Sequence, residues 1–233
     1  AGQTIAGLRD RGILPERDHT ILPLDTPIAV KEAVLPFKRF QTRDGKIVDS
    51  LLGPEMRSTG EVMGIDRDFP TAFAKSQIAA GNVLPTSGTV FVSVADIDKR
   101  QIALPILRLH EIGFTVLATS GTAAVLQRNG IESTVVRKVS DAGDDTPITQ
   151  LIHDHRIDLI VNTPDGAAAR ADGYEIRAAA TAQNVPLVST ISALDALVAA
   201  IDTVPRPFRV CSLQEYDRRR AQRADARAAT AAV

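Results

Sequence analysis

TVFVSV at residues 89–94, FTVLATSGT at 114–122 and DLIVNT at 158–163 carry the fold. Each is a short apolar run of the kind that forms a strand buried on both faces. Each ends in small polar residues, and helical patterns fill the gaps between them. Asp98 is suited to cap a helix running to about Ile112, with Gly113 as its stop. Pro105 lies inside that span and predicts a kink. Thr119-Ser120-Gly121-Thr122 turns into a second helix that ends at Asn129-Gly130. A third strand is expected at 134–138 and a short helix over 146–154. A longer helix is expected from Asp172 to Gln183, a fifth strand over 186–190 and a last helix over 193–201. Alternating β and α units predict an α/β fold, a doubly wound parallel sheet with helices on both faces.

Upstream the composition changes. Residues 1–70 are irregular and rich in Pro and Gly, with one clear strand, Ile28–Val34, and a helix from Phe69 to Ala80. The stretch 81–88, GNVLPTSG, reads as a linker. The expected organisation is an α+β region over 1–80, the linker, a parallel α/β domain over 89–215 and an Arg/Ala-rich tail over 216–233. The tail lacks an apolar stripe and reads as a frayed end.

The bulk properties exclude several classes. Of 233 residues, 27 are basic and 28 acidic, so the basic excess of a general nucleic-acid binder is missing. Trp is absent and aromatics make up 4 %, which leaves little for base stacking. A single cysteine, Cys211, rules out an intrachain disulfide framework; it reads as a packed side chain in a terminal strand. No secretory signal or membrane span is visible, and the expected setting is the cytoplasm.

In a parallel sheet the ligand crevice lies at the carboxyl ends of the strands. Ser93 and Lys99 follow the first strand, Thr119 and Thr122 the second, Lys138 the third, and Asn162 and Thr163 the fourth. Hydroxyls, an amide and two lysines around a helix start are suited to a phosphate. Taken singly, the threonines are ordinary helix caps and the lysines solvated; their recurrence at successive strand ends favours a ligand. His153 and His155 flank Asp154, a spacing that does not place both on one helix face, so surface placement is expected rather than metal binding. Asp141, Asp144 and Asp145 read as a solvated turn.

Two further stretches carry a resemblance. Val30–Phe37 (VKEAVLPF) and Leu52–Gly64 (LGPEMRSTGEVMG) resemble the large subunit of carbamoyl-phosphate synthases, at the close of the second ATP-grasp unit. The segment from Thr89 resembles that family's C-terminal regulatory domain, of methylglyoxal-synthase-like fold, through Val92–Val94, Asp98-Lys99, Ala118–Ala123, Asn129–Ile131, Lys138-Val139 and Val161–Thr163.

The resemblance implies a nucleoside monophosphate effector, UMP or IMP. Ser93, Lys99, Thr119, Thr122, Lys138, Asn162 and Thr163 would hold its phosphate and ribose, and Asp172 and Ile176 would border sugar and base. Pro164 stands where the family often has a hydroxyl residue, and Gly173 replaces a usual Ser. Glu32 and Ser189 match positions that contact ornithine in many members, whereas Leu187 replaces an aromatic there.

The resemblance further implies a ligase that makes carbamoyl phosphate from glutamine, bicarbonate and ATP with Mg or Mn, for pyrimidine and arginine biosynthesis. Its partners would be the upstream large-subunit domains and a glutaminase small subunit. The family's ATP- and metal-binding carboxylates lie upstream of this match. The chain is therefore expected to be a C-terminal piece, without cofactor or catalysis of its own. An alternative for the same fold is a methylglyoxal synthase-like lyase that eliminates phosphate, which needs a carboxylate base beside the phosphate.

Overall fold

The computed structural model describes residues 2–14, 26–40, 48–137, 147–163, 166–204, 207–219 and 222, with the side chains of 166–172 left aside. Two compact units are present. One comprises Ala1–Pro27 with Val210–Val233, the other Ile28–Arg209.

The smaller unit contains α1 (Ile5–Asp10), capped by Thr4, whose hydroxyl accepts from Gly7 N at 3.1 Å. Residues 213–219 form a helical segment. Its start is a reciprocal capping box: Glu215 N donates to Ser212 Oγ at 3.2 Å, and Ser212 N donates to Glu215 Oε2 at 2.8 Å. Cys211 lies in irregular chain before this helix rather than in a strand. Its Sγ accepts from Arg219 Nη1 at 3.2 Å.

The larger unit opens with an antiparallel pair, β1 (Ile28–Val34) and β2 (Gly60–Asp66). A short 3-10 turn, Phe37–Arg39, follows β1. Helix α2 (Phe69–Ala79) begins at Asp68, whose carboxylate accepts from Thr71 N at 2.9 Å, and packs on both strands. β2 was not foreseen in the sequence. Gly64 in its middle is what permits the packing: a Cβ there would lie 2.0 Å from Ala72 O and 2.6 Å from Ser76 N.

The remaining elements are β3 (Gly88–Val94), α3 (Ala103–Ile112), β4 (Phe114–Ala118), α4 (Ser120–Arg128), β5 (Thr134–Val135), α5 (Ile148–His153), β6 (Leu159–Thr163), α6 (Gly166–Gln183), β7 (Leu187–Val188) and α7 (Ile191–Ile201). The five strands are parallel in the order β5-β4-β3-β6-β7. Strand alternation separates two cores. Val90, Val92, Val94, Val116 and Val161 face α3, α4 and α7, joined by Ala74 of α2. Phe91 and Ile160 face α5 and α6. The doubly wound α/β expectation therefore holds.

Four local expectations need correction. The third helix begins at Ala103, with Ile102 and not Asp98 at its cap, because 96–101 is a run of turns. Pro105 thus falls in the first turn, where a missing N–H costs nothing, and no kink results. The third strand is only Thr134–Val135, and α6 starts at Gly166 rather than Asp172. The 81–88 stretch connects α2 to β3, and its Leu84 is buried in the core beside Ala74.

Candidate functional site

Strand order fixes where the crevice lies. β3 is central: the chain runs outward from it through β4 to β5, then crosses back to β6 on its other side, and the crevice lies at the carboxyl ends of these strands, where the order reverses. Thr119 and Thr122 come from the β4–α4 turn, Asn162 and Thr163 from the end of β6, and Ser93 from the end of β3.

Thr119 sits at the start of α4, yet its side chain makes no capping hydrogen bond. Thr119 Oγ1 and Thr122 Oγ1 are instead hydrogen-bonded to each other at 3.2 Å, both buried. Thr122 Oγ1 also accepts from Val94 N at 3.5 Å. Simple capping therefore does not account for Thr119. Thr163 Oγ1 accepts from Ala95 N at 3.1 Å, which fixes the loop that leaves β3. Asn162, 6 % exposed, donates from Nδ2 to Ser93 O at 3.3 Å. Ser93, Asn162 and Thr163 are thus bound into one layer across β3 and β6.

Lys99 reaches back from the 96–101 turns to the start of α4. A Cβ on Gly121 would lie 2.8 Å from Lys99 Nζ, so only glycine lets the ammonium lie against this first turn. Ser120 and Gly121 are the first helical residues, where N–H groups have no intrahelical acceptor. A cation over the positive end of a helix is electrostatically unfavourable by itself. Asp96 offsets it with an ion pair to Lys99 Nζ at 2.5 Å, although the Asp96 side chain is almost fully exposed. An anion seated between Lys99 and α4 would offset it better. The described strand ends offer hydroxyls, an amide, backbone N–H groups and one ammonium, a donor set for phosphate oxygens.

The other expected site residues are placed as follows. Lys138, with Asp141, Asp144 and Asp145, lies outside the described residues, and Asp172 is known only as a backbone position in α6. Ile176 is buried in the core between the sheet and α5–α6. Glu32, in β1, accepts from Gln77 Nε2 at 2.8 Å. Ser189 lies half-buried just past β7. The structure does not join these last two by a hydrogen bond.

Two residues beside the site escaped the sequence reading. Arg177 of α6 has a side chain with no exposure. It forms a two-pronged ion pair with Asp49, Nε to Oδ1 at 2.6 Å and Nη2 to Oδ2 at 2.7 Å, and Nη1 donates to Asn162 Oδ1 at 3.4 Å. Burial would raise the Asp49 carboxyl, but the Arg177 guanidinium and the N–H of Leu51 outweigh it and hold it below its ordinary value. Partners 128 residues apart leave no local pattern to find.

The class of the domain follows from comparison with known families. Residues 101–189 match the MGS-like domain, a span that takes in Thr119, Thr122, Asn162 and Thr163 and begins just after Lys99. The whole chain is similar to named proteins as well. It is 63 % identical over 218 residues to the carbamoyl phosphate synthase large chain of Clavibacter sepedonicus, covering 92 % of this chain and 20 % of that protein. Against the large chains of Beutenbergia cavernae and Kineococcus radiotolerans the identities are 60 % and 58 %, covering 96 % and 94 % of this chain and 20 % and 21 % of those proteins. Over the stretch they share, the chain belongs with the carbamoyl phosphate synthase large chains, and it spans about one fifth of their length. No helix among the described residues is long and apolar enough to cross a membrane.

Proposed function

We propose that this chain is the regulatory region of a carbamoyl-phosphate synthase, and that its strand-end crevice binds the phosphate of a nucleoside monophosphate, UMP or IMP. The observation that carries the reading is the Lys99 ammonium lying against Gly121 at the start of α4, above two buried threonine hydroxyls. An ammonium beside the free N–H groups of a helix start is the setting that a dianion completes. Ser93, Asn162 and Thr163 complete the cradle. By resemblance alone, Lys138 joins the phosphate and ribose contacts, and Asp172 and Ile176 border sugar and base.

In a whole large chain, ATP and Mg or Mn would serve upstream domains, a glutaminase subunit would supply nitrogen, and the effector would favour one arrangement of this region over another. Glu32 and Ser189 are the contacts that the resemblance assigns to ornithine.

Calorimetric titration of the 233-residue chain with UMP, IMP and inorganic phosphate tests the reading. Saturable nucleotide binding tighter than phosphate is expected. Lys99→Ala should weaken it by about 1.5–3 kcal/mol, the worth of a hydrogen bond to a charged group. Unchanged affinity in Lys99→Ala would remove the phosphate assignment.

A further inference from the structure

We infer that Arg177, seated by Asp49 and by the bare backbone of Gly173, is a positioning residue for the crevice: it fixes the side-chain amide of Asn162 and ties it to the 48–51 segment. The inference rests on the phosphate-binding reading and adds to it a residue that acts through Asn162.

The chemistry of the three groups sets the orientation. A guanidinium only donates, so the Asn162 atom that faces Arg177 Nη1 at 3.4 Å must be the carbonyl Oδ1. The orientation is set at both ends, by the guanidinium that donates to Oδ1 and by the Ser93 carbonyl that accepts from Nδ2. Asn162 Nδ2 then turns to the Ser93 end of β3, where one N–H is spent on Ser93 O at 3.3 Å and a second remains. Reversed, the amide would place its carbonyl against Ser93 O, and an acceptor would replace a donor in a cradle meant for phosphate or ribose oxygens. Arg177 therefore holds the amide in the donor form from its carbonyl end, as Ser93 O does from the other.

Arg177 is itself held from outside the matched domain. Asp49 accepts from its Nε and Nη2 and is in turn held by Leu51 N, which donates to Asp49 Oδ1 at 3.1 Å. Gly173 supplies the space: a Cβ there would lie 2.4 Å from Arg177 Nη1 and 2.9 Å from Asn162 Oδ1. An added methyl pushes away the far end of a flexible side chain, not backbone, so the helix tolerates it while the contact between Arg177 and Asn162 does not survive.

Two substitutions test this. Asp49→Asn removes the charge that seats Arg177, and Gly173→Ala separates Arg177 from Asn162 while placing a better helix former in α6. Both should weaken binding of UMP, IMP and inorganic phosphate about tenfold or more by calorimetry. The side-chain amide resonances of Asn162, followed by 15N NMR in the unliganded chain, should move in both variants. In the wild type, ligand should perturb those resonances strongly. A merely structural role for Arg177 would lower the melting temperature and leave these amide signals and the affinities in place.

Wild-type binding that is lost in Lys99→Ala yet unchanged in Gly173→Ala, with unmoved Asn162 amide signals, overturns the role of Arg177 and leaves the pocket standing. If Asp49→Asn fails to fold, Gly173→Ala and the wild-type NMR titration decide alone. Absence of any binding to the wild type removes the pocket and this inference together.

Discussion

Arg177 shows what a single buried charge demands of its surroundings. Removing one partner of a buried ion pair costs more than the pair contributes, because the other charge is left without compensation. Asp49 is 31 % exposed while the Arg177 side chain is fully enclosed, so the loss falls mainly on the arginine. The same pair makes stability depend on pH. The Asp49 carboxyl titrates lower in the folded chain than its ordinary value of about 3.9 in an unfolded one. Its contribution is therefore complete above about pH 5 and disappears as the pH falls through the folded value. Urea unfolding between pH 7 and pH 3 should show a fall in stability on the acid side that is shallower in Asp49→Asn. Asp66, paired with Lys75 at 2.7 Å and likewise lowered, adds to the fall in both proteins. Identical slopes for wild type and Asp49→Asn would exclude Asp49 as a contributor. The strand-end residues were legible because β4 and β6 announce themselves as apolar runs and the small polar residues follow directly. Asp49 and Arg177 were not, since neither residue's neighbours hint at the other.

Among the elements, the strands and helices with strong local signals were legible and their ends were not. β4 and the start of α2 stand where the sequence puts them. α3 starts late because the turns of residues 96–102 intervene before Ala103, and a proline is as acceptable in a first helical turn as it is disruptive in the middle. β2 was missed because its apolar residues are interrupted by Gly60, Glu61 and Gly64, and the reason for Gly64 appears only when α2 packs against it. Gly64→Ala would bring a methyl against two backbone atoms that cannot give way cheaply. A destabilisation of about 1–3 kcal/mol is expected, as for other overpacked sites. Thermal unfolding followed by circular dichroism should show a midpoint several degrees lower; an unchanged midpoint would mean that β2 and α2 are not held in this contact. The capping box at Ser212–Glu215 had a readable signature, Ser-x-x-Glu, that was passed over because the arginines beyond it dominate the tail.

For the molecule as a whole, the larger unit carries two cores with a parallel sheet between them. β6 is buried along all five residues, whereas β1 exposes its outer face. Amide hydrogen exchange should therefore be slowest in β3 and β6 and faster in β1 and β2, whose ladder has only two strands. Uniform protection from residue 28 to residue 209 would contradict this. The doubly wound class was legible from alternation alone. How the 28–80 region folds onto the domain was not, because it rests on Asp49 and Ala74, neither of which belongs to a periodic pattern.

The 128 residues that separate Asp49 from Arg177 also have a meaning in time. During synthesis at about 5–20 residues per second, Asp49 joins the chain roughly 6–25 s before Arg177 does. Asn162 is made only 15 residues before Arg177, so the contact between them also forms late. The donor-lined crevice is thus among the last features of the chain to acquire its final form.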